Sequence, residues 1–373
     1  MIHYCRICNN QTYPILLYPD MPSAAQHFPL FVTLKNDEPI TLEITQCSRC
    51  GLVQLSNEPV PYYRNVIRAS GISPEMTEHR TSQFTSFIED HNLQNKKILE
   101  VGCGSGEYLS IMNDLNVQAY GIEASRTAFK ECLKLNLNVF HNFMIPHPPL
   151  PVTQFDAFYM LNFLEHLPYP NETLKAIHQN VTDNAVGIIE VPNFDMIIRN
   201  NLFSEFIVDH LTYFTKDTLQ FILIQSGFEV LNISETWHDY TLTAIVRKRP
   251  HLDISRFHTF SSLLSSQITL FIDKHQDVAI WSAGHQAITV MSLSNLSQHS
   301  IMYVIDSAIF KQGRYTPVTH IPIVPPSRLI TDPPKAIIVM GGSYSDEIIE
   351  QIKAKCGNIA ISVVRNHTLE EIQ

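Results

Sequence analysis

The middle of the chain alternates short apolar runs with longer amphipathic stretches. The apolar runs are "KKILEVGCG", "VQAYGIEAS", "FDAFYMLNFLEH" and "VGIIEVPN", and stretches of helical periodicity such as "SRTAFKECLKLN" and "NETLKAIHQNV" separate them. Strands that alternate with helices in this way predict a parallel sheet built from β-α-β units. Two later stretches, "FEVLNISETW" and "TLTAIVRKR", predict an antiparallel pair of strands that closes this sheet.

The last third of the chain repeats the alternation. From Asp253 to Lys274, apolar residues recur at steps of three and four positions, which predicts an amphipathic helix. The runs "DVAIWSAG", "SIMYVIDS" and "PKAIIVMGG" follow and again alternate with helical patterns. A second α/β domain is therefore expected, and the chain divides into residues 1–65, 66–250 and 251–373.

The first of these segments is rich in proline and is too small to bury a core without help. It contains four of the seven cysteines, as the two C-x-x-C pairs Cys5/Cys8 and Cys47/Cys50. In a reducing compartment, two such pairs favour a zinc site over disulfides, because each pair forms a chelating turn and two turns complete a tetrahedral thiolate site. Four thiolates fill the coordination sphere, so a structural Zn²⁺ is predicted.

Composition and charge narrow the class of protein. Hydrophobic residues make up 45% and charged residues 17% of the 373 positions, which is typical of a globular protein. There are 26 Lys and Arg against 36 Asp and Glu, a net charge of −10 that disfavours general nucleic-acid binding. The N-terminus "MIHYCRICNN" lacks the apolar segment of a signal peptide, and no apolar run is long enough for a membrane span. We expect a cytoplasmic protein with no nucleic-acid or membrane partner.

A glycine-rich turn follows the first strand of the middle segment. In "ILEVGCGSGEYL" the glycines are Gly102, Gly104 and Gly106, and Glu100 precedes them. The next strand ends at Glu123, where a carboxylate can accept both hydroxyls of a ribose. Glycine turns of this kind also occur in dinucleotide folds. The G-x-G-x-G spacing with its upstream acid and the following "GIE" resembles the S-adenosylmethionine loop of class I methyltransferases. In that resemblance, the fourth strand leaves Asn162, Glu165 and His166 near the methionine end of the cofactor.

The order of the three segments resembles one family in particular, the nucleotide-sugar C-methyltransferases. The resemblance spans essentially the whole chain and is most specific in the two C-x-x-C pairs, "LEVGCGSGEYL", "NFLEH", "DHLTYFT" and "YVIDSAIFKQGRYTPVTHIPI". It implies an S-adenosylmethionine-binding, Rossmann-like methyltransferase core between a small zinc domain and a C-terminal Rossmann-like α/β domain. The family adds a methyl group to C3 of a dTDP-linked 4-keto-deoxysugar, so a small nucleotide-sugar substrate is expected.

The same resemblance assigns roles to three residues of the candidate catalytic site. In the family a histidine in an E-H-x-x-Y-F-S-like element is thought to remove the C3 proton, and the match here is His210, preceded by Asp209. A ketone at C4 acidifies the C3 hydrogen, and a neutral imidazole can accept it. Asp209 is expected to orient this imidazole or to stabilise its protonated form, and His166 is a candidate hydrogen-bond donor to the enolate.

One departure from the family pattern bears on the substrate. The family element reads Tyr-His-Glu-His, whereas here the four residues are Ile207, Val208, Asp209 and His210, so a tyrosine expected in the substrate site is missing. Two alternatives therefore stay open. One is an O- or N-methyltransferase acting on a related sugar or small molecule, and the other is a non-catalytic binding module that keeps the nucleotide fold. The sequence does not predict an oligomeric state.

Overall fold

The seven-stranded sheet of the first unit, called the central sheet below, follows the predicted alternation of strands and helices. The computed structural model describes residues 3–26, 28–65, 72–357 and 359–372, and the chain divides into two compact units, Met1–His251 and Leu252–Gln373. The predicted boundary at residue 66 lies outside the described residues. Within the first unit the strands are β1 Thr12–Met21, β2 Ile40–Cys47, β3 Val53–Leu55, β4 Lys97–Val101, β5 Gln118–Glu123, β6 Val139–His141, β7 Phe155–Leu161, β8 Val181–Pro192, β9 Thr212–Tyr213, β10 Phe228–Thr236 and β11 Thr241–Lys248. The helices of this unit are α1 Pro74–Asp90, α2 Glu107–Asn113, α3 Arg126–Lys134, α4 Pro170–Asn180, α5 Phe194–Arg199 and α6 Lys216–Gln225.

The central sheet has the strand order β10-β11-β8-β7-β4-β5-β6. The five strands from β8 to β6 are parallel, and β11 is antiparallel to both of its neighbours. Such a sheet buries both faces beneath helices, which explains the nearly continuous apolar runs of β4 and β7. The Rossmann-like core and its closing antiparallel pair are therefore confirmed. The order reverses between β4 and β7, and ligands of open α/β sheets bind beyond the carboxyl ends of strands at such a point.

A second, four-stranded antiparallel sheet has the order β1-β2-β3-β9. Its first three strands come from the predicted zinc segment, and β9 comes from the "DHLTYFT" stretch far along the chain. This sheet belongs to the same compact unit as the central sheet.

The second unit is another α/β fold, as predicted. Its strands are β12 Val278–Trp281, β13 Val304–Ile305, β14 Ile323–Val324, β15 Ala336–Val339, β16 Ala360–Arg365 and β17 Thr368–Ile372, and its helices are α7 Ser255–His275, α8 His285–Leu293, α9 Arg328–Thr331 and α10 Ser345–Cys356. The sheet order is β14-β13-β12-β15-β16-β17, with β17 antiparallel to its neighbour and the other pairs parallel. Helix α7 matches the amphipathic helix predicted from Asp253 to Lys274 and buries Leu264, Ile268 and Phe271. Across the described residues, we find no helix with the length and apolarity needed to cross a bilayer.

Candidate active site

The loop after β4 turns sharply through three glycines with left-handed backbone conformations. Gly102, Gly104 and Gly106 have φ angles of 75°, 55° and 92°, a region that residues with a Cβ atom rarely adopt. A Cβ atom at Gly102 would lie 3.0 Å from the ring of Phe163, and one at Gly106 would lie 2.5 Å from Leu137. Both the backbone conformation and the close packing therefore call for glycine in this loop.

Glu123 connects the end of β5 to this loop. Its carboxylate accepts hydrogen bonds from the backbone N–H groups of Gly104, at 2.9 Å, and Ser125, at 2.6 Å. Burial raises the pKa of Glu123, and these two N–H groups act against that rise. Glu100, two residues before the first glycine, is buried and accepts a hydrogen bond of 3.0 Å from the hydroxyl group of Tyr159. The carboxylate expected to bind a ribose thus lies directly beside the glycine loop.

Aromatic side chains nearly close the space in front of the loop. A cavity of about 30 Å³ remains there, lined among others by Phe143, Phe163 and Arg64, and the Arg64 guanidinium carbon lies 5.1 Å from the centroid of the Phe143 ring. Sites that bury small molecules usually measure roughly 300–1,000 Å³. The enclosed space beside the loop is thus far smaller than such a site. Asn162, the residue before Phe163, is exposed at the end of β7, with φ 48°.

Two histidines face each other just beyond this point. His166 lies in a short 3₁₀ turn, Leu164–His166, that follows β7, and the centroid of its ring is 4.7 Å from that of His210. Nδ1 of His166 is 2.8 Å from the backbone carbonyl oxygen of Asp209. The backbone N–H of Leu211 donates to the backbone carbonyl oxygen of Glu165, which lies in the same 3₁₀ turn as His166. These bonds fasten the segment around His210 to the carboxyl edge of the central sheet, two strands from Glu123.

Burial determines the charge of the groups in this cluster. It lowers the pKa of His210 to about 3, with a smaller contribution from His166 in the same direction. It also lowers the pKa of His166, and it raises that of Glu165 to about 8. Near neutral pH the cluster therefore consists of two uncharged imidazoles and an uncharged carboxyl group.

Asp209 is oriented away from the role expected for its side chain. Its Oδ2 accepts hydrogen bonds from the backbone N–H of Ala25, at 2.8 Å, and from the hydroxyl group of Tyr62, at 3.2 Å. Within the described part of the chain, its Oδ1 has no hydrogen-bond partner. The Asp209 side chain thus fastens the N-terminal segment to the motif, while its main chain positions His166.

The motif also forms part of the cysteine-containing sheet. Tyr213 of β9 pairs with Val53 of β3 in antiparallel register, and the backbone N–H of Leu55 donates to the carbonyl oxygen of Leu211. Only Leu211 separates His210 from β9, whose partner strand β3 directly follows the Cys47/Cys50 turn. The position of His210 depends on the folding of the N-terminal segment.

The four paired cysteines converge as the spacing predicted. The Sγ atoms of Cys5 and Cys50 are 3.5 Å apart, those of Cys8 and Cys47 are 3.5 Å apart, and those of Cys8 and Cys50 are 3.7 Å apart. A tetrahedron with Zn–S bonds of about 2.3 Å has edges of roughly 3.8 Å. The sulfur positions thus fit a four-thiolate metal site.

A larger cavity, of about 830 Å³, opens beside the segment that precedes His210. Ile207 and Val208 line it, at the two positions where the family pattern has tyrosine and histidine. Three acidic residues, Asp20, Asp37 and Glu38, also line it, and no Lys or Arg occurs among its described lining residues. This cavity has the size of a small-molecule site but an acidic wall.

The basic residues of "FKQGRYTP" lie in the second unit. The Lys311 ammonium group donates to the Asp306 carboxylate at 2.9 Å and to the carbonyl oxygen of Ala283 at 3.1 Å, so it has a structural role there. Arg314 and Tyr315 are exposed.

The partners of the motif could not be identified from the sequence. Tyr62 and Ala25 reach Asp209 from more than a hundred residues away, and no local pattern marks either of them. The "NFLEH" stretch does signal Glu165, but its complete burial depends on how the turn packs against β8 and β9.

Comparison with known proteins gives matches in both compact units. A family model described as a methyltransferase domain matches residues 75–233, and one described as a C-methyltransferase C-terminal domain matches residues 255–363. The chain is 18% identical to the C-methyltransferase NovU of Streptomyces niveus, over 94% of this chain and 92% of that protein. Among solved structures, the PH0226 protein from Pyrococcus horikoshii is 12% identical, with a TM-score of 0.41, over 50% of this chain and 98% of that one. An S-adenosylmethionine-dependent methyltransferase from Clostridium acetobutylicum is 10% identical, with a TM-score of 0.37, over 46% of this chain and 92% of that one.

Proposed function

The chain belongs to the C-methyltransferases and is an S-adenosylmethionine-dependent enzyme, and from this premise we propose that it methylates C3 of a nucleotide-linked 4-keto-deoxysugar. The observation that carries the proposal is the position of His210. This half-buried imidazole lies against His166, in the turn after β7, and β7 is the neighbour of β4, the strand that leads into the loop expected to hold the cofactor. Ligands of such sheets bind at the carboxyl ends of the strands, so a carbon acid that is to receive a methyl group would have to be deprotonated by a base located there.

We assign the cofactor to the loop of Gly102, Gly104 and Gly106, with Glu123 on the ribose. The fit rests on the left-handed glycines and on a carboxylate already aimed at the loop amides. Glu100 and Asn162 flank this space at the ends of β4 and β7. When bound, S-adenosylmethionine supplies an electrophilic methyl group on a sulfonium. The work of the protein is to hold the acceptor carbon in line with that group.

His210 is proposed as the general base. Burial lowers the pKa of His210, so near neutral pH the imidazole is uncharged and has a nitrogen lone pair that can accept a proton. The C3–H bond breaks, the proton moves to His210, and the electron pair stays on the substrate as an enolate. Loss of activity on mild acidification near pH 6.5 should therefore not arise from protonation of His210.

For His166 we propose a role other than donation of a hydrogen bond to the enolate. A carbonyl oxygen can only accept, so Nδ1 of His166 must carry the hydrogen that bonds to Asp209. In the neutral ring, Nε2 is then an acceptor and has no proton to donate to an enolate oxygen. Burial opposes the cationic form that would donate from both nitrogens. We therefore treat His166 as a positioning residue for the segment that carries His210.

We propose that Cys5, Cys8, Cys47 and Cys50 bind one structural Zn²⁺. The support is that all four sulfur atoms lie within 4.8 Å of one another and that three of the pairs are 3.5–3.7 Å apart. A closed four-thiolate site leaves no open coordination position, so the ion would stabilise the four-stranded sheet and, through β9, the position of His210.

A second candidate function has one specific observation in its favour. The 830 Å³ cavity beside Ile207 and Val208 is lined by three carboxylates and by no cation among its described lining residues, an environment that disfavours a diphosphate and favours a neutral or amine-bearing acceptor. An O- or N-methyltransferase acting on such a molecule would use the same cofactor loop, and His210 would deprotonate an oxygen or nitrogen atom instead of carbon.

Exchange of hydrogen for deuterium separates these candidates before any methyl transfer. Wild-type protein in deuterated water, given a dTDP-linked 4-keto-deoxysugar and no methyl donor, should exchange the C3 hydrogen, and His210→Asn should not. NMR of the recovered sugar measures both. The same buffer and sugar should support methyl transfer once methyl donor is added. If wild-type protein retains the C3 hydrogen under these conditions, carbon deprotonation is rejected. If the His210→Asn variant exchanges the hydrogen as fast as wild type, His210 is rejected as the base.

A further inference from the structure

Glu165 is a buried acid of the candidate site that lies beside both histidines. It is 1% exposed, and Oε2 has no hydrogen-bond partner among the residues the structure describes. Its other oxygen, Oε1, lies 3.8 Å from Nε2 of His166. One oxygen of Glu165 and one nitrogen of each histidine, His166 and His210, all lie within 4.8 Å of one another. The acid thus forms a compact cluster with both imidazoles.

The groups around this cluster supply no compensating positive charge. Asp209 and Tyr213 are on the segment that carries His210, and Tyr240 faces Glu165 from the β10–β11 turn, with its hydroxyl group bonded to Glu205. The strand packed against the turn, β8, carries Glu190, whose charge is neutralised by Arg80. No Lys or Arg side chain pairs with Glu165 in the described part of the chain.

Such surroundings keep Glu165 protonated near neutral pH. Among the described residues, the only hydrogen bond to this carboxylate comes from its own backbone N–H, and a carboxylate buried without a cation is strongly disfavoured relative to the neutral acid. The pKa of Glu165, raised by burial to about 8, agrees with the geometry. The ionised form becomes populated only in mildly alkaline solution.

We propose that Glu165 is a positioning acid that controls how strong a base the histidine pair is. When it is neutral, a proton taken up by His210 creates an imidazolium with no counter-charge within the cluster. When it is ionised, its carboxylate supplies that counter-charge from within the cluster. The inference rests on the proposed role of His210 as the base.

The size of the effect follows from the separation of the charges. An opposite charge at about 4–6 Å increases the affinity of an ionisable group for a proton roughly 10- to 1,000-fold. Only part of a change in basicity appears in the rate of proton abstraction. We therefore expect turnover to rise about 10-fold as Glu165 ionises. The proton of Glu165 goes to solvent in this step, before the substrate proton moves to His210.

The first test needs no substrate and therefore does not depend on the proposed function. In ligand-free protein with ¹⁵N-labelled histidine, the His166 and His210 resonances are assigned with His→Asn variants and followed from pH 6 to pH 10. We expect the His166 resonances of the wild type to shift with a midpoint near pH 8, and this shift to be absent in Glu165→Gln, which mimics the neutral acid. Unchanged His166 resonances in the wild type, or the same shift in Glu165→Gln, would overturn the proposal.

The second test is the pH dependence of turnover, with Glu172→Gln on the exposed face of α4 as the matched control. The wild type and Glu172→Gln should gain about 10-fold in kcat between pH 7 and pH 9. Glu165→Gln should bind S-adenosylmethionine normally, and its kcat at pH 9 should be the same as at pH 7. A Glu165→Gln profile that rises like the wild type would remove Glu165 from control of the base. If no keto-sugar is methylated at all, the proposed function fails while the NMR titration still decides the role of Glu165.

Discussion

The backbone carbonyl oxygen of Asp209 is 2.8 Å from Nδ1 of His166. This one bond fixes the tautomer of His166, orients its ring towards His210 and ties the motif segment to the turn after β7. A motif whose sequence suggests a carboxylate–histidine pair is in fact organised by a main-chain carbonyl. The Asp209 carboxylate has a separate role, because it anchors Ala25 and Tyr62.

Replacement of Glu123 by Ala should weaken S-adenosylmethionine binding. The change removes the acceptor for the ribose hydroxyls and for the amides of Gly104 and Ser125, a loss on the order of 1–3 kcal/mol. Isothermal titration calorimetry measures it, with Glu131→Ala on the exposed face of α3 as the control. Unchanged affinity in Glu123→Ala would mean that the ribose binds elsewhere.

Purified protein should contain one zinc ion per chain. Cys50→Ser should lose the ion and unfold the four-stranded sheet, since zinc binding supplies roughly 10–16 kcal/mol of folding free energy in small zinc-binding peptides. Because β9 belongs to that sheet, activity should fall together with the metal content. Cys356→Ser, in the second unit, is the control and should retain both the zinc ion and the activity. Elemental analysis that detects no zinc in protein prepared without chelator would refute this.

The burial of Glu165 should appear in the pH dependence of stability. An unfolded glutamate ionises near pH 4.3, whereas folded Glu165 keeps its proton up to about pH 8. Unfolding between these values releases a proton, so the wild type loses stability from this group as pH rises. Glu165→Gln has no such proton to release and should gain in Tm relative to wild type between pH 5 and pH 8. A Tm difference that is the same at both pH values would contradict the assigned protonation state.

The buried ion pair between Arg80 and Glu190 should contribute strongly to the stability of the fold. Arg80 and Glu190 are 1% and 0% exposed, with an N···O distance of 2.6 Å. Burial alone would raise the pKa of Glu190, but Arg80 outweighs this effect and holds that pKa below its usual value. Arg80→Met leaves the carboxylate buried without its partner and should reduce the free energy of unfolding by about 3–5 kcal/mol.

Urea denaturation measures that loss. Arg199→Ala, which removes an exposed pair with Glu235, is the control and should change stability little. Equal stability of Arg80→Met and the control would show that the Glu190 carboxylate is stabilised in the folded protein without Arg80.

Local patterns predicted most of the fold and only part of the candidate site. The strands of both α/β units and helix α7 follow from the spacing of apolar residues. Steps of three and four positions indicate a helix, and short continuous apolar runs between turn residues indicate buried strands. The three glycines and the four cysteines were also found from the sequence, since their spacing reflects a turn or a chelate. The partners of the motif could not be found in this way. The pairing of Tyr213 with Val53 and the contact of Ala25 with Asp209 join residues far apart in the chain.

Methyl transfer from ¹³C-labelled S-adenosylmethionine to a panel of nucleotide-linked 4-keto-deoxysugars, followed by NMR of the product, tests the central claim most directly. The wild type should place the label on carbon, as a C-methyl signal coupled to C3 of the sugar. His210→Asn should retain binding of both ligands while turnover falls about 10²–10⁴-fold. A product with the label on oxygen or nitrogen, or a His210→Asn variant that methylates carbon at the wild-type rate, would contradict the account.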